Sequence, residues 1–135
     1  MNMTKPGRLL PACLMCLVLM LAACHGGLSR DQIKARSAAE RCYKYLRTGR
    51  YDRFVGEIAY ADQMSPEYRQ QMQDLVHESA QRYESEHGKM LSAVAVGDTL
   101  MDDLAHIYLQ ITYADSTSEE IGLPMVCVDG DWKMQ

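Results

Sequence analysis

The chain has 135 residues, of which 47% are hydrophobic and 24% charged, and these values fit one globular domain. Four prolines and nine glycines are too few for a disordered or fibrous chain. The formal net charge of −4 offers no positive field to nucleic-acid phosphates, so we expect no nucleic-acid partner.

The first 23 residues have the pattern of a bacterial signal peptide. Lys5 and Arg8 precede a run without charges from residue 9 to residue 23. This run is shorter than the ~20 apolar residues that a membrane-spanning helix needs. We therefore expect residues 1–23 to be removed rather than retained as a transmembrane helix.

The run ends in Leu21-Ala22-Ala23-Cys24, which closely resembles the lipobox of bacterial lipoproteins. The resemblance implies that the Cys24 thiol is diacylated, that cleavage makes Cys24 the first residue, and that palmitate-type chains hold the protein on a membrane. Residues 24–30 would be the lipidated cysteine and a short tether. Because residue 25 is not aspartate, comparison with enterobacterial lipoproteins implies the outer membrane, facing the periplasm. A secretory signal with an incidental cysteine is the alternative.

Three helices are predicted at the start of the domain, residues 31–135. Ser29 is a suitable N-cap for a helix that reaches about Arg47. A short second helix is expected over residues 51–61, and a third follows Ser65 and ends near Gly88. The inward face of the first helix would consist of Ala35, Ala38, Ala39, Cys42, Tyr45 and Leu46.

After Lys89 the hydrophobic period changes to two, which indicates strands over residues 90–96, 105–114 and 118–128. Pro124 predicts an edge position or a bulge in the third of these strands. Asp129-Gly130 is a strong hairpin signal, and a two-residue turn there places Cys127 opposite Trp132. Helices followed by about four antiparallel strands predict an α+β domain with the helices over one sheet face.

Three segments resemble one family. They are residues 46–54 with the pattern Leu-x-x-Gly-x-Tyr-x-x-Phe, residues 108–115 followed by Ser-Thr-Ser-Glu-Glu, and residues 125–134 with Asp-Gly-Asp-Trp-Lys. These segments resemble small bacterial lipoproteins of the domain of unknown function 4878, in the nuclear transport factor 2-like (NTF2-like) superfamily. The resemblance implies a cone in which a curved sheet wraps around its helices, often with a pocket at the open end. That superfamily contains both enzymes and non-catalytic binding modules.

Catalytic members of that superfamily use an aspartate or a histidine inside the cone. The predicted core face of the second strand and of the last hairpin carries neither, so we predict no catalytic residue. His77-Glu78 begins like a zinc-protease helix, but Gln81 stands where the second histidine is needed. We predict no metal ligand and no cofactor. The aspartates expected at strand ends and turns are Asp98, Asp102, Asp103, Asp115, Asp129 and Asp131.

Three further groups of residues are candidates for a function. The aromatic residues on predicted inward faces either fill the cone or line a pocket in it; they are Tyr45, Phe54, Tyr83, Tyr113 and Trp132. The row on the outer sheet face is either solvated or an interface that forms a homodimer, as in relatives; it consists of His106, Tyr108, Gln110 and Thr112. Cys42 and Cys127 both point inward and either form a disulfide or remain buried thiols.

These observations predict a non-enzymatic, lipid-anchored protein of the cell envelope that binds a small ligand or a protein partner of unknown identity. The alternative is a small-molecule enzyme of isomerase or lyase type that uses the cone pocket. A purely structural envelope protein is a third alternative.

Overall fold

The structure is a computed structural model that describes residues 27–135. The expected signal peptide, the lipidation site Cys24 and the beginning of the tether lie outside the described residues. None of the helices formed by residues 27–135 is long and apolar enough to cross a membrane.

Helix α1, Arg30–Arg47, begins at Ser29 as the sequence predicts. The Ser29 hydroxyl accepts a hydrogen bond from the Gln32 amide nitrogen, and the Gln32 side chain accepts one from the Ser29 amide nitrogen. This reciprocal pair satisfies two amide donors at the helix start. The buried residues of α1 are Ala35, Ala38, Ala39 and Cys42. Tyr45 and Leu46, predicted on the same face, are only half-buried.

The second helix, α2, covers Tyr51–Gly56 and ends earlier than the sequence predicts. Tyr60 adopts a left-handed conformation with φ 61°, and a 3-10 helix follows at Ala61–Gln63. The helix ends early because the Ala59 amide donates a 2.7 Å hydrogen bond to the Met134 carbonyl instead of to a carbonyl of the helix. The chain after Gly56 therefore joins the end of the sheet instead of continuing the helix.

The sheet has four antiparallel strands in the order β1-β2-β3-β4. They are β1 Met90–Met101, β2 Leu104–Tyr113, β3 Ser118–Val128 and β4 Asp131–Met134. Register shifts interrupt the β1–β2 pairing between Met90 and Ser92 and between Ala95 and Gly97. Such irregularities bend a strand, which suits a sheet that curves around a helix.

The last hairpin has the predicted register. Asp129 and Gly130 both have positive φ, 51° and 84°, as a two-residue turn of this kind requires. Cys127 lies opposite Trp132, and Met125 lies opposite Met134. The predicted apolar face of this hairpin is therefore confirmed.

Pro124 lies inside β3, yet it interrupts no pairing. The Pro124 carbonyl accepts a hydrogen bond from the Gln135 amide nitrogen across 3.0 Å. The amide and carbonyl of one strand residue point to the same side, so the nitrogen of Pro124 faces the end of β4 rather than β2. β3 is an interior strand between β2 and β4, and its pairing with β2 has no register shift, so the predicted edge position or bulge is wrong. The proline is tolerated because β4 ends at Met134, opposite Met125, and leaves no ladder acceptor for an amide at residue 124.

The hydrophobic core lies between α1 and the inner face of the sheet. Its members from α1 are small, which lets the helix approach the sheet closely. The strands contribute Ala105 and several larger side chains to the core cluster, which are Ile107, Leu109, Met125, Trp132 and Met134. The core face predicted from the period-two pattern of β2 is confirmed.

The position of Asp98 differs from the one predicted from the sequence. The sequence placed it at a strand end or turn, whereas β1 continues to Met101 and Asp98 lies within it. Its carboxylate accepts hydrogen bonds from the Gln32 side chain across 2.9 Å and from the Arg36 guanidinium across 2.5 Å. Asp98 is thus a contact between sheet and helix, not a turn residue.

Helix α3, Pro66–His87, begins at Ser65 and ends at Gly88 as predicted. None of its 22 residues is buried. It packs against α2, where the rings of Tyr51 and His77 stack with centroids 4.7 Å apart. The α+β architecture is confirmed, but the third helix stands away from the sheet instead of packing flat on it.

Candidate functional site

A cleft of about 550 Å³ lies between α3, the end of α1 and the inner face of the sheet. Most of its walls are apolar or aromatic. The side chains that line it from the helices include Tyr43, Leu46, Phe54, Leu75, Val76 and Tyr83, and those from the strands include Met90, Ile111, Tyr113, Glu119 and Ile121.

The apolar face of α3 forms one wall of the cleft. Leu75, Val76, Ser79, Ala80 and Tyr83 line it at the spacing of one helix face. Leu75 remains 59% exposed and Tyr83 43% exposed. This wall therefore presents apolar surface that no other part of residues 27–135 covers fully.

The opposite wall comes from the ends of β2 and β3. Tyr113 is 4% exposed, and its hydroxyl donates a 2.5 Å hydrogen bond to Oε1 of Glu119. Glu119 stands opposite Ile111 in the ladder, on the same inner face as Ile121. A half-buried carboxylate thus lies among aromatic and aliphatic side chains.

Four aromatic rings line the same cleft as this carboxylate. The rings of Tyr83 and Tyr113 are nearly parallel, 8° apart, with centroids separated by 6.4 Å. Tyr43 meets Phe54 edge to face at 6.2 Å. Because Tyr43 and Phe54 come from different helices and Tyr113 from the sheet, the aromatic walls depend on the whole tertiary structure.

Two phenols of the cleft remain protonated at neutral pH. Burial, aided by the negative charge of Glu119, raises the pKa of Tyr43 to about 12. Burial and the hydrogen bond to Glu119 raise the pKa of Tyr113 above its usual value. Both hydroxyls are therefore neutral hydrogen-bond donors, and Glu119 supplies the negative charge of this wall.

Charged groups stand at the mouth of the cleft. Arg47, Glu84 and Lys89 line it and are exposed. Beside them, the imidazole of His87 lies 5.2 Å from the Tyr113 ring, and its Nδ1 is 3.4 Å from Oδ2 of Asp115. Hydrogen bonds from Thr117, with a smaller contribution from His87, lower the pKa of Asp115.

Three of the five predicted pocket residues line the cleft: Phe54, Tyr83 and Tyr113. Tyr45 lies instead beside a separate surface depression. Two residues rotate a helix by about 200°, so Tyr43 rather than Tyr45 faces the cleft. Trp132 is 5% exposed and belongs to the core cluster, so it fills the interior and does not line the cleft.

Sequence reasoning missed Tyr43 and Glu119. A signal for Glu119 was present, because counting back in twos from the inward residue Met125 reaches Ile121 and then Glu119. For Tyr43 the signal was weaker. It lies three residues before Leu46, and both line the cleft at the end of α1.

Of the two alternatives left open for Cys42 and Cys127, a disulfide or two thiols, the structure has two free thiols. Cys42 is fully buried in the core, and Cys127 packs against the same core. Pointing into one core is a weaker condition than the short Cα distance a disulfide requires. The alternative of two thiols acting as small hydrophobic side chains describes the structure. Burial raises the pKa of Cys42 to about 12.

The predicted interface row lies on the outer sheet face. His106 and Gln110 are exposed, and Tyr108 and Thr112 are half-buried. Tyr108 pairs with Gly97 on one side and Gly122 on the other. A homodimer through this face stays a prediction.

Within residues 27–135, no three His, Cys, Asp or Glu side chains converge as a metal site would require.

Comparison with known proteins supports the fold. A crystal structure at 2.00 Å resolution of a Campylobacter jejuni protein, provisionally described as an NTF2-like transpeptidase, superposes on this chain with a TM-score of 0.61. The match covers 78% of this chain and 97% of that one, at 16% sequence identity. No protein-family model matches the chain, and no curated protein matches it. The fold is NTF2-like, and a shared fold at this identity does not carry a function with it.

Proposed function

We propose that this protein is a lipid-anchored envelope protein whose domain binds a small, largely apolar ligand in the cleft between α3 and the sheet. One observation carries the proposal: α3 directs Leu75, Val76 and Tyr83 into the cleft, yet none of its residues is buried. A ligand between α3 and the sheet would remove this apolar surface from water. The cleft volume of about 550 Å³ is within the range of roughly 300–1,000 Å³ typical of ligand pockets.

The envelope location is proposed from the sequence. The lipobox-like residues 21–24 and the resemblance of three segments to the lipoproteins of domain of unknown function 4878 support it. Acylation at Cys24 would hold the domain at the periplasmic face of the outer membrane, with residues 25–30 as a short tether. A ligand reaching this cleft would then come from the periplasm or from the membrane surface.

Binding of the neutral apolar dye N-phenyl-1-naphthylamine tests the cleft directly. The dye becomes fluorescent in apolar surroundings, so a saturable increase with one site per chain is expected. The variant Ala80→Trp places an indole on the α3 wall of the cleft and should weaken dye binding at least tenfold.

Gln81→Trp is the matched control, because Gln81 neighbours Ala80 on the same helix but is exposed and does not line the cleft. This variant should bind the dye as the unmodified protein does. Equal binding by both variants, or no saturable binding at all, would contradict the proposed cleft.

Glu119 favours the isomerase or lyase as a second candidate function. A carboxylate among aromatic side chains can accept a proton from a carbon acid, as enzymes of this kind require. Mass spectrometry of small molecules copurified with the protein, before and after prolonged incubation, distinguishes the two candidates. A new product that disappears in Glu119→Gln supports an enzyme, and an unchanged ligand supports the binding protein.

A further inference from the structure

Glu119 is a carboxylate without a cationic partner among the described residues. Its Oε1 accepts the hydrogen bond from Tyr113, and no lysine, arginine or histidine of residues 27–135 lies within ion-pair distance of it. Burying a carboxylate in apolar surroundings is costly unless a counter-charge or hydrogen bonds compensate for it. One phenol hydroxyl compensates only in part, since a carboxylate has about four acceptor positions.

The aromatic rings that line the cleft together with Glu119 would also attract a cation. The face of an aromatic ring carries a negative quadrupole and attracts a cation placed over it. Tyr83 and Tyr113 present nearly parallel rings, and Tyr43 and Phe54 lie on the neighbouring wall. The negative charge of Glu119 also acts on the Tyr43 phenol. The carboxylate of Glu119 and the aromatic ring faces would thus attract a cation to the same cleft.

The positive side chains of the cleft stand elsewhere. Arg47 and Lys89 are exposed at its mouth, where water and salt screen their charges. Glu84, also at the mouth, carries the opposite charge and offsets them in part. Glu119 is half-buried, so water and salt screen its charge less than the charges of these exposed groups.

We propose that the ligand of this cleft is a small organic cation, an alkylamine or quaternary ammonium compound, whose charged group lies between Glu119 and the rings of Tyr43, Tyr83 and Tyr113. The apolar body of the ligand would contact the α3 wall at Leu75 and Val76. This inference rests on the proposed function, and it assigns the chemical class of the ligand.

Three probes of nearly the same shape test the sign of the charge. Choline is the cation, 3,3-dimethylbutan-1-ol its neutral carbon isostere, and 3,3-dimethylbutanoate a related anion. The dissociation constant of each is measured by following tyrosine ring signals in NMR titrations of the full mature protein. We expect choline to bind at least tenfold more tightly than the alcohol, and the anion to bind more weakly than either.

Glu119→Gln keeps the size of the side chain and removes its charge, so the ratio between choline and the alcohol should fall close to one. Glu120→Gln is the matched control, because Glu120 is the next residue of β3, is exposed and does not line the cleft. It should keep the ratio of the unmodified protein. Thermal unfolding of both variants verifies that they are folded.

The outcomes separate the two proposals. If the dye binds in the cleft but choline binds no better than the alcohol or the anion, the inferred charge of the ligand is wrong while the proposed function stands. If choline is preferred equally in Glu119→Gln and Glu120→Gln, the role of Glu119 is wrong. If neither the dye nor any probe binds, both the proposed function and this inference are overturned.

Discussion

Arg36 and Asp98 connect the first helix to the first strand, with Nε of Arg36 2.5 Å from Oδ2 of Asp98. The Asp98 side chain is only 3% exposed, whereas Arg36 keeps 22% of its side chain exposed. Gln32, one helical turn before Arg36, donates to the other carboxylate oxygen. Two residues on one face of α1 thus hold one carboxylate of β1, which fixes the position of the helix along the sheet.

This contact predicts a dependence of stability on pH. The hydrogen bond from Gln32, together with the hydrogen bond and charge of Arg36, lowers the pKa of Asp98 below its usual value. A group with a depressed pKa contributes stability that is complete above its unfolded pKa, about 3.9, and is lost as pH falls through its lower folded pKa. Asp98→Asn should lower the free energy of unfolding at pH 7 by about 1–3 kcal/mol.

Urea unfolding at several values of pH between 7 and 2 measures both effects. The unmodified protein should lose more stability on acidification than Asp98→Asn does, because the variant has no charge to lose at this position. Asp129→Asn is the control, since Asp129 is exposed at a positive φ of 51° that asparagine tolerates. Parallel acid curves for Asp98→Asn and the unmodified protein would show that this contact contributes no pH dependence.

A second prediction concerns Trp132, the one tryptophan of the chain. Its indole is 5% exposed within the core cluster, opposite Cys127 in the hairpin. Trp132→Ala should destabilise the domain by about 3–5 kcal/mol through lost burial and a cavity. Tyr68→Ala removes an aromatic ring that is 50% exposed on α3 and should cost less than about 1 kcal/mol. Similar unfolding midpoints for the two variants would contradict the packing of Trp132.

Local patterns made much of this fold predictable from the sequence. Ser29 and Ser65 mark the starts of α1 and α3, because a serine hydroxyl accepts from an amide that the helix leaves unpaired. Asp129-Gly130 determines the register of the last hairpin, because few other residue pairs adopt two positive φ angles in succession. These features depend on a few neighbouring residues.

Features that depend on distant residues were not predictable in this way. The amphipathic pattern of α3 indicates that one of its faces contacts something apolar, but the pattern does not say whether that partner is the sheet or a cleft. The end of α2 at Gly56 depends on pairing between Ala59 and Met134, far away in the sequence. Glu119 was overlooked for a different reason, since a polar residue on an inward position breaks the pattern that defines the face.

The two thiols give a third prediction. Cys42 is fully buried with a pKa raised to about 12, so it should resist alkylation until the protein unfolds. Mass spectrometry without reducing agent should find Cys42 and Cys127 unlinked, with iodoacetamide modifying Cys42 only in denaturant. Cys127 is the internal comparison, because it is partly exposed. A linked Cys42–Cys127 peptide pair would restore the disulfide that the sequence alone suggested.

The proposed lipid anchor gives a fourth prediction, drawn from residues 21–24. Cys24→Ala removes the thiol to which the diacylglycerol would attach, so radioactive palmitate should no longer label the protein and the precursor should accumulate. Cys16→Ala, a cysteine of the same expected signal peptide, is the control and should leave labelling unchanged. Normal processing and membrane retention of Cys24→Ala would show that the lipobox-like sequence is incidental.

Gly88 links the end of α3 to the sheet, and its conformation excludes a side chain. Its φ of 80° and ψ of −175° belong to a region that only glycine occupies readily. A Cβ there would lie 2.9 Å from the Cβ of Ala114. Ala114 is held in place because its amide donates a 2.9 Å hydrogen bond to the carbonyl of Lys89, the residue after Gly88. Gly88→Ala should therefore destabilise the domain by about 1–3 kcal/mol in urea unfolding.

Gly56→Ala is the control. Gly56 is a helical position where a Cβ meets only the flexible end of Arg69 at 3.4 Å, so this variant should be neutral or slightly stabilising. If both variants unfold at the same urea concentration, the strained junction at Gly88 is not required to hold α3 beside the cleft.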